Sequence, residues 1–221
     1  MKRLNRSRQP AHGMSIINMV VSMGIFALLT GPILQALLSV QQTSNTEEKL
    51  LSQIQPLRGS FYQMVRDIRM VGYPASNNFP PAAQAQSPGL IAGGFITVTP
   101  TVVVFESDTD FNGTVERIQY RVSADGQSIS RSVSLKAKDG TLGSPISVQD
   151  PFISSIANST LASPVPVFSW ETNPVSAQPF PGNISVVYIS LAVKVIPNPL
   201  KPATMQIINL SGAARRINPS L

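Results

Sequence analysis

The sequence predicts an α+β chain in which a long N-terminal helical spine, apolar in its first half and amphipathic in its second, packs on an antiparallel β-sheet domain. Three observations carry that expectation. No side chain from Met14 to Thr46 is charged. Leu50, Ile54, Leu57, Phe61, Met64, Ile68 and Val71 recur at alternating steps of four and three, which sets them on one helical stripe. Beyond residue 94, runs rich in Val, Thr and Phe alternate apolar with polar positions and are separated by Asn-Gly and Asp-Gly, the dipeptides of tight hairpins.

The composition agrees. Of 221 residues 43% are hydrophobic and only 13% charged, against about 25% in ordinary soluble chains, as expected if part of the chain is membrane-embedded. The net charge of +6 is not a nucleic-acid signature. Lys2, Arg3, Arg6 and Arg8 hold four positive charges ahead of the apolar stretch, leaving 13 basic against 11 acidic residues and no basic run beyond Arg215-Arg216. A phosphate-binding face needs clustered cations, whereas a basic flank before an apolar segment sets membrane orientation. There is no cysteine, and the only histidine is His12. Thiolate chemistry is excluded and the commonest general base is missing downstream. No glycine-rich phosphate loop, metal cluster or nucleophile–base pair is present, so the expectation is a non-enzyme without cofactors.

Residues Ile16 to Val40 are dominated by Ile, Val, Met, Leu, Phe and Ala. At 1.5 Å per residue such a helix is roughly 37 Å long and crosses a ~30 Å hydrocarbon core with some tilt. A secretory signal peptide has a shorter apolar region, about 7 to 15 residues, followed by small residues at the cleavage site. A plain single-pass anchor fits length and charge equally well.

The junction adds local detail: Arg8-Gln-Pro-Ala-His-Gly13, then Met14-Ser-Ile-Ile-Asn18-Met-Val-Val-Ser-Met-Gly-Ile-Phe. It resembles the leader and N-terminal helix of type IV prepilins and type II secretion pseudopilins. The resemblance implies a pilin-like fold, a leader of residues 1–13, cleavage by prepilin peptidase between Gly13 and Met14, and N-methylation of Met14. It also implies, as partners, other pilins or pseudopilins and an inner-membrane assembly machine. The location implied is the bacterial cytoplasmic membrane, single-pass with the C-terminal domain outside the cytoplasm, and then a filament. Loss of the leader would strip four charges and leave an apolar rod, able to exchange lipid for helices like itself but not for water. The family usually carries a glutamate at the fifth mature position, thought to neutralise a neighbour's amine; here that position is Asn18, which can accept a hydrogen bond but brings no charge. Such a subunit would be least handicapped at a filament tip.

Gly31 and Pro32 predict a kink or opened turn near Thr30 within the apolar helix (14–42), and Pro56 a bend within the amphipathic one (43–73). Gly72, followed by Tyr73-Pro74, is the expected stop. The run Val65-Arg66-Asp67-Ile68-Arg69-Met70-Val71-Gly72-Tyr73 resembles the spine end of PilW-type minor pilins. By themselves Arg66, Asp67 and Arg69 read as a solvated face or a local ion pair.

A globular β domain is expected over 74–221. Residues 74–94 read as a loop, Phe95 to Glu106 as a strand, and Thr114 to Val122 and Ser128 to Leu135 as its antiparallel successors. Asn112-Gly113 and Asp125-Gly126 are their turns. The segment Asp108-Thr-Asp110-Phe-Asn112-Gly113 matches the opening of an EF-hand calcium loop, but Gln119 stands where a bidentate glutamate is needed. Calcium held by Asp108, Asp110 and Asn112, or a hairpin turn in which they serve the backbone, are the two readings. Residues 150–183, with six prolines, read as a long surface loop in which Trp170 packs on its own core. Ile184 to Ile196 alternates most cleanly and Met205 to Leu210 makes a short last strand. The end Arg215-Arg216-Ile217-Asn218 is similar to the basic terminus of PilW-type chains. The function the resemblance implies is a PilW-like minor pilin in type IV pilus assembly. The alternatives are a type II secretion pseudopilin and an adhesin domain on a simple anchor.

Overall fold

The computed structural model describes residues 15–197 and 205–217. The chain divides into two compact units, Met1–Glu48 and Lys49–Leu221. Helix α1 (Ile16–Arg69) supplies all the described secondary structure of the first unit and the opening element of the second. It stays helical across Gly31-Pro32 and across Pro56, so the predicted interruptions do not end it. Each proline lacks an N–H and costs one helical hydrogen bond, which an otherwise strong helix former absorbs.

In the second unit the stripe falls where periodicity places it: Leu57, Phe61, Met64, Ile68 and Val71 are buried. The helix stops at a glycine, as expected, although its terminal groups are satisfied from far along the chain. Gly72, at φ +81°, gives its N–H to Glu106 O at 2.9 Å. Ser107 Oγ donates to Met70 O at 2.6 Å and Ile217 N to Arg69 O at 3.0 Å. The orphan carbonyls of a helix end are thus spent on holding two other segments to it.

Residues 74–94 contain two short 3-10 turns and the six-residue helix α2 (Pro81–Gln86). A five-stranded antiparallel meander follows in the order β1 (Phe95–Val98), β2 (Val102–Ser107), β3 (Glu116–Val122), β4 (Ile129–Lys136), β5 (Leu142–Ile153). The single strand expected over Phe95 to Glu106 is a hairpin, β1–β2, because the chain turns at Pro100. Pro100 has no N–H to offer a ladder, and the turn closes through Thr99 N to Val102 O at 2.8 Å. Strand β5 is not anticipated by alternation: its first ten residues are exposed and it carries Pro145 and Pro151, both tolerated because it pairs on one side only.

A second antiparallel sheet has the order β6 (Phe168–Thr172), β7 (Ile184–Val195), β8 (Gln206–Arg215). The stretch 150–183, read as a loop, therefore includes the end of β5 and the whole of β6. The last strand runs five residues beyond the expected Leu210. In β7, Val187, Ile189, Leu191, Val193 and Val195 are buried as alternation requires, while Tyr188 is exposed. Ala192, expected on the wetter face, is buried too. Both sheets contribute to one hydrophobic cluster with the helix, including Met64 and Ile68, Phe105 and Ile118, and Val187 and Ile189. A Cβ added to Gly212 of β8 would lie 3.0 Å from the Phe61 ring, so glycine here lets the strand reach the helix.

Candidate functional site: an exposed apolar helix and two buried ionic anchors

In the first unit large apolar side chains are uncovered. Ile16 is 81% exposed, Leu28 77% and Phe26 72%. This is a helix long and apolar enough to cross a membrane. Each such side chain left in water forfeits roughly 1.5–3 kcal/mol, so the segment requires lipid or apolar protein around it. Gly13 and Met14, the expected processing residues, lie outside the described residues. Asn18 is exposed in the first turn, which holds no acidic residue, and its carbonyl accepts the Ser22 hydroxyl at 2.7 Å.

The second unit corrects the reading of Asp67. Far from belonging to a solvated face, it is fully buried. Its Oδ2 accepts the Tyr120 hydroxyl at 2.8 Å and Arg131 Nη2 at 2.9 Å, and Arg131 Nε donates to the Tyr120 oxygen at 3.0 Å. Oδ1 has no hydrogen-bond partner, and the exposed Arg66 stands 3.6 Å from it. Burial, reinforced by the Asp67 charge, holds the Tyr120 phenol well above its ordinary range. Burial works against the Arg131 cation, yet Tyr120 and Asp67 more than offset it and raise its pKa. Asp67 follows Met64 by three residues and precedes Val71 by four, so its place beside the apolar stripe was legible. Its partners on β3 and β4 were not.

The second anchor is Glu106 on β2, 3% exposed. Arg117 Nη2 reaches its Oε1 at 2.7 Å; Lys136 Nζ at 2.8 Å and the Gly93 N–H at 2.9 Å reach Oε2. Burial pushes this carboxyl up, but the bonds from Lys136, Arg117 and Gly93 outweigh it and leave the pKa lowered. Lys136 Nζ also donates to Ile91 O at 2.9 Å, so the anchor ties the 87–94 segment to the sheet. Nothing in the sequence marked it, because its members come from three strands and a loop.

The loop Asp108–Gly113 turns on its own side chains. Asp108 accepts Asn112 N at 3.1 Å and Gly113 N at 2.9 Å; Asp110 accepts Asn112 N at 3.2 Å and Asn112 Nδ2 at 2.8 Å. Asn112 Oδ1 takes Thr114 N at 2.8 Å. All three residues of the calcium reading thus serve the backbone and one another. Among the described residues no group of three or more His, Cys, Asp or Glu side chains could hold a metal ion. Trp170 packs on the core as expected, its ring 5.9 Å from that of Phe180.

The class these features define is an α+β protein with one exposed apolar helix, of membrane-spanning length, near its N-terminus. Comparison with protein-family models, with curated proteins and with solved structures found no match.

Proposed function

We propose that the chain is a pilin-like subunit of the PilW-like minor type, acting in type IV pilus assembly. It is processed by prepilin peptidase and built into a filament through its N-terminal helix. One observation carries the reading: an uncharged, uncovered helix of membrane-crossing length runs without interruption into the second unit, where its amphipathic continuation packs beneath antiparallel sheets. Such a helix can move only between apolar surroundings, and a bundle of like helices is the one that a filament provides. The junction at Gly13-Met14 and the uncharged Asn18 add that the subunit is matured before assembly and placed near the tip.

The test is the mature N-terminus. Peptide mass spectrometry of the protein from its own cells should find N-methyl-Met14, and an uncut Met1 form when prepilin peptidase is deleted. A chain that begins at Met1 in both strains overturns the proposal. For the tip placement, copy number per filament should rise several-fold in Asn18→Glu; an unchanged number removes that part.

A further inference from the structure

Arg216 is the only buried cation among the described residues, 8% exposed, and it is unlike Arg131, Arg117 and Lys136 in one respect. Those three each meet a buried carboxylate, whereas no described carboxylate lies within ion-pair distance of Arg216. Its Nε donates to Val71 O and its Nη1 to Gly182 O, both at 3.3 Å, the long end of hydrogen bonding. Nη2 has no acceptor among the described residues. Burial lowers its pKa and no neighbouring charge opposes the shift. A desolvated guanidinium normally draws a counter-ion, because leaving one uncompensated is costly.

The same residue lines a cavity of about 400 Å³ between the β6–β7 connection and the end of β8, together with Arg215, Asn173, Ser176, Asn183 and Ser185. Asn183 Oδ1 is buried there without a donor. The cavity thus offers a forked cation, a second arginine beside it, and an acceptor in want of an N–H or O–H. A bare oxyanion would answer the first two and leave the acceptor and most of the volume unused.

We propose that this cavity binds a small carboxylate with an adjacent N–H, of the N-acyl amino acid or chain-terminal residue class. Arg216 takes the carboxylate oxygens, a geometry its planar fork matches, and Asn183 Oδ1 takes the N–H. Ligand and protein form only hydrogen bonds and an ion pair.

Trp170 is the chain's single tryptophan, and its contact Phe180 lies on the segment that walls the cavity, so its fluorescence reports occupancy. The full chain in detergent is titrated with N-acetylglycine, with uncharged N-acetylglycinamide and with inorganic phosphate. N-acetylglycine should give a saturable change below about 10 mM, while the amide gives none. Arg216→Lys, which keeps the charge but not the fork, and Asn183→Leu should each weaken the response about tenfold. If Arg216→Lys fails to fold, Asn183→Leu carries the comparison. No saturable response in the unaltered chain, an equal response to the amide, or saturation by phosphate alone overturns the proposal.

Discussion

Asp67 and Arg131 stand 64 positions apart in the chain and meet with 2.9 Å between Oδ2 and Nη2, the aspartate fully buried on the helix and the arginine on β4. The Tyr120 hydroxyl bonds the same oxygen. Removing one charge of a buried pair strands the other, at a cost of about 3–5 kcal/mol. Asp67→Ala should therefore lower stability by about 3 kcal/mol in denaturant unfolding of the full chain in detergent. Tyr120→Phe, which removes one hydrogen bond and no charge, should cost about 1 kcal/mol. Equal losses would show that the charge pairing is not what matters.

Glu106 sets an acid limit. Its pKa is lowered from the ordinary 4.5, so between the two values the unfolded chain binds the proton more readily than the folded one, and stability rises with pH across that window. The contribution is complete above the unfolded value and disappears as pH falls through the lowered folded value. Glu106→Gln should flatten the decline below about pH 4.5 and cost about 2 kcal/mol at neutral pH, with Lys136 and Arg117 losing their counter-charge. Thermal unfolding as a function of pH would measure both effects.

Gly72 should resist substitution for two reasons. At φ +81° an L side chain is strained, and a Cβ would fall 2.6 Å from Arg216 Nη2. Gly72→Ala is expected to cost about 1–3 kcal/mol in thermal unfolding. Gly59→Ala, in the same helix with open space around it, should be neutral or slightly stabilising.

Calcium should not bind the Asp108–Gly113 loop. Both Asp108 oxygens already accept backbone N–H groups, and a cation would have to break those bonds to coordinate there. Calorimetric titration with calcium is expected to show no saturable heat; a saturable signal abolished by Asp108→Asn would reverse the assignment.

Deleting residues 1–48 should yield a soluble, cooperatively folding fragment, because the hydrophobic cluster and both ionic anchors lie within Lys49–Leu221. Tyr120→Phe should destabilise it as it does the full chain. A fragment that precipitates or melts without cooperativity would mean that the first unit is needed for the second to fold.

Local rules recovered much of this molecule. Five of the seven stripe residues in the helix are buried, with Leu50 and Ile54 half-buried, because a spacing of 3.6 needs only neighbours in the chain to be read. The Asp125-Gly126 turn and the alternation of β7 are legible for the same reason. Strands β5 and β6 are not: one is an exposed edge, and the other is five residues inside a proline-rich stretch. Neither carries an alternation strong enough to stand out from its surroundings.

By itself the order of residues determined where the chain is apolar, which helical face is oily, and where hairpins turn, since each depends on spacings of a few residues. Only the tertiary structure decided what becomes of the charges. Asp67, Glu106 and Arg216 are all polar residues that composition would leave in water. Each is buried instead, because its partners come from distant strands and loops, and burial becomes tolerable only when those partners arrive together.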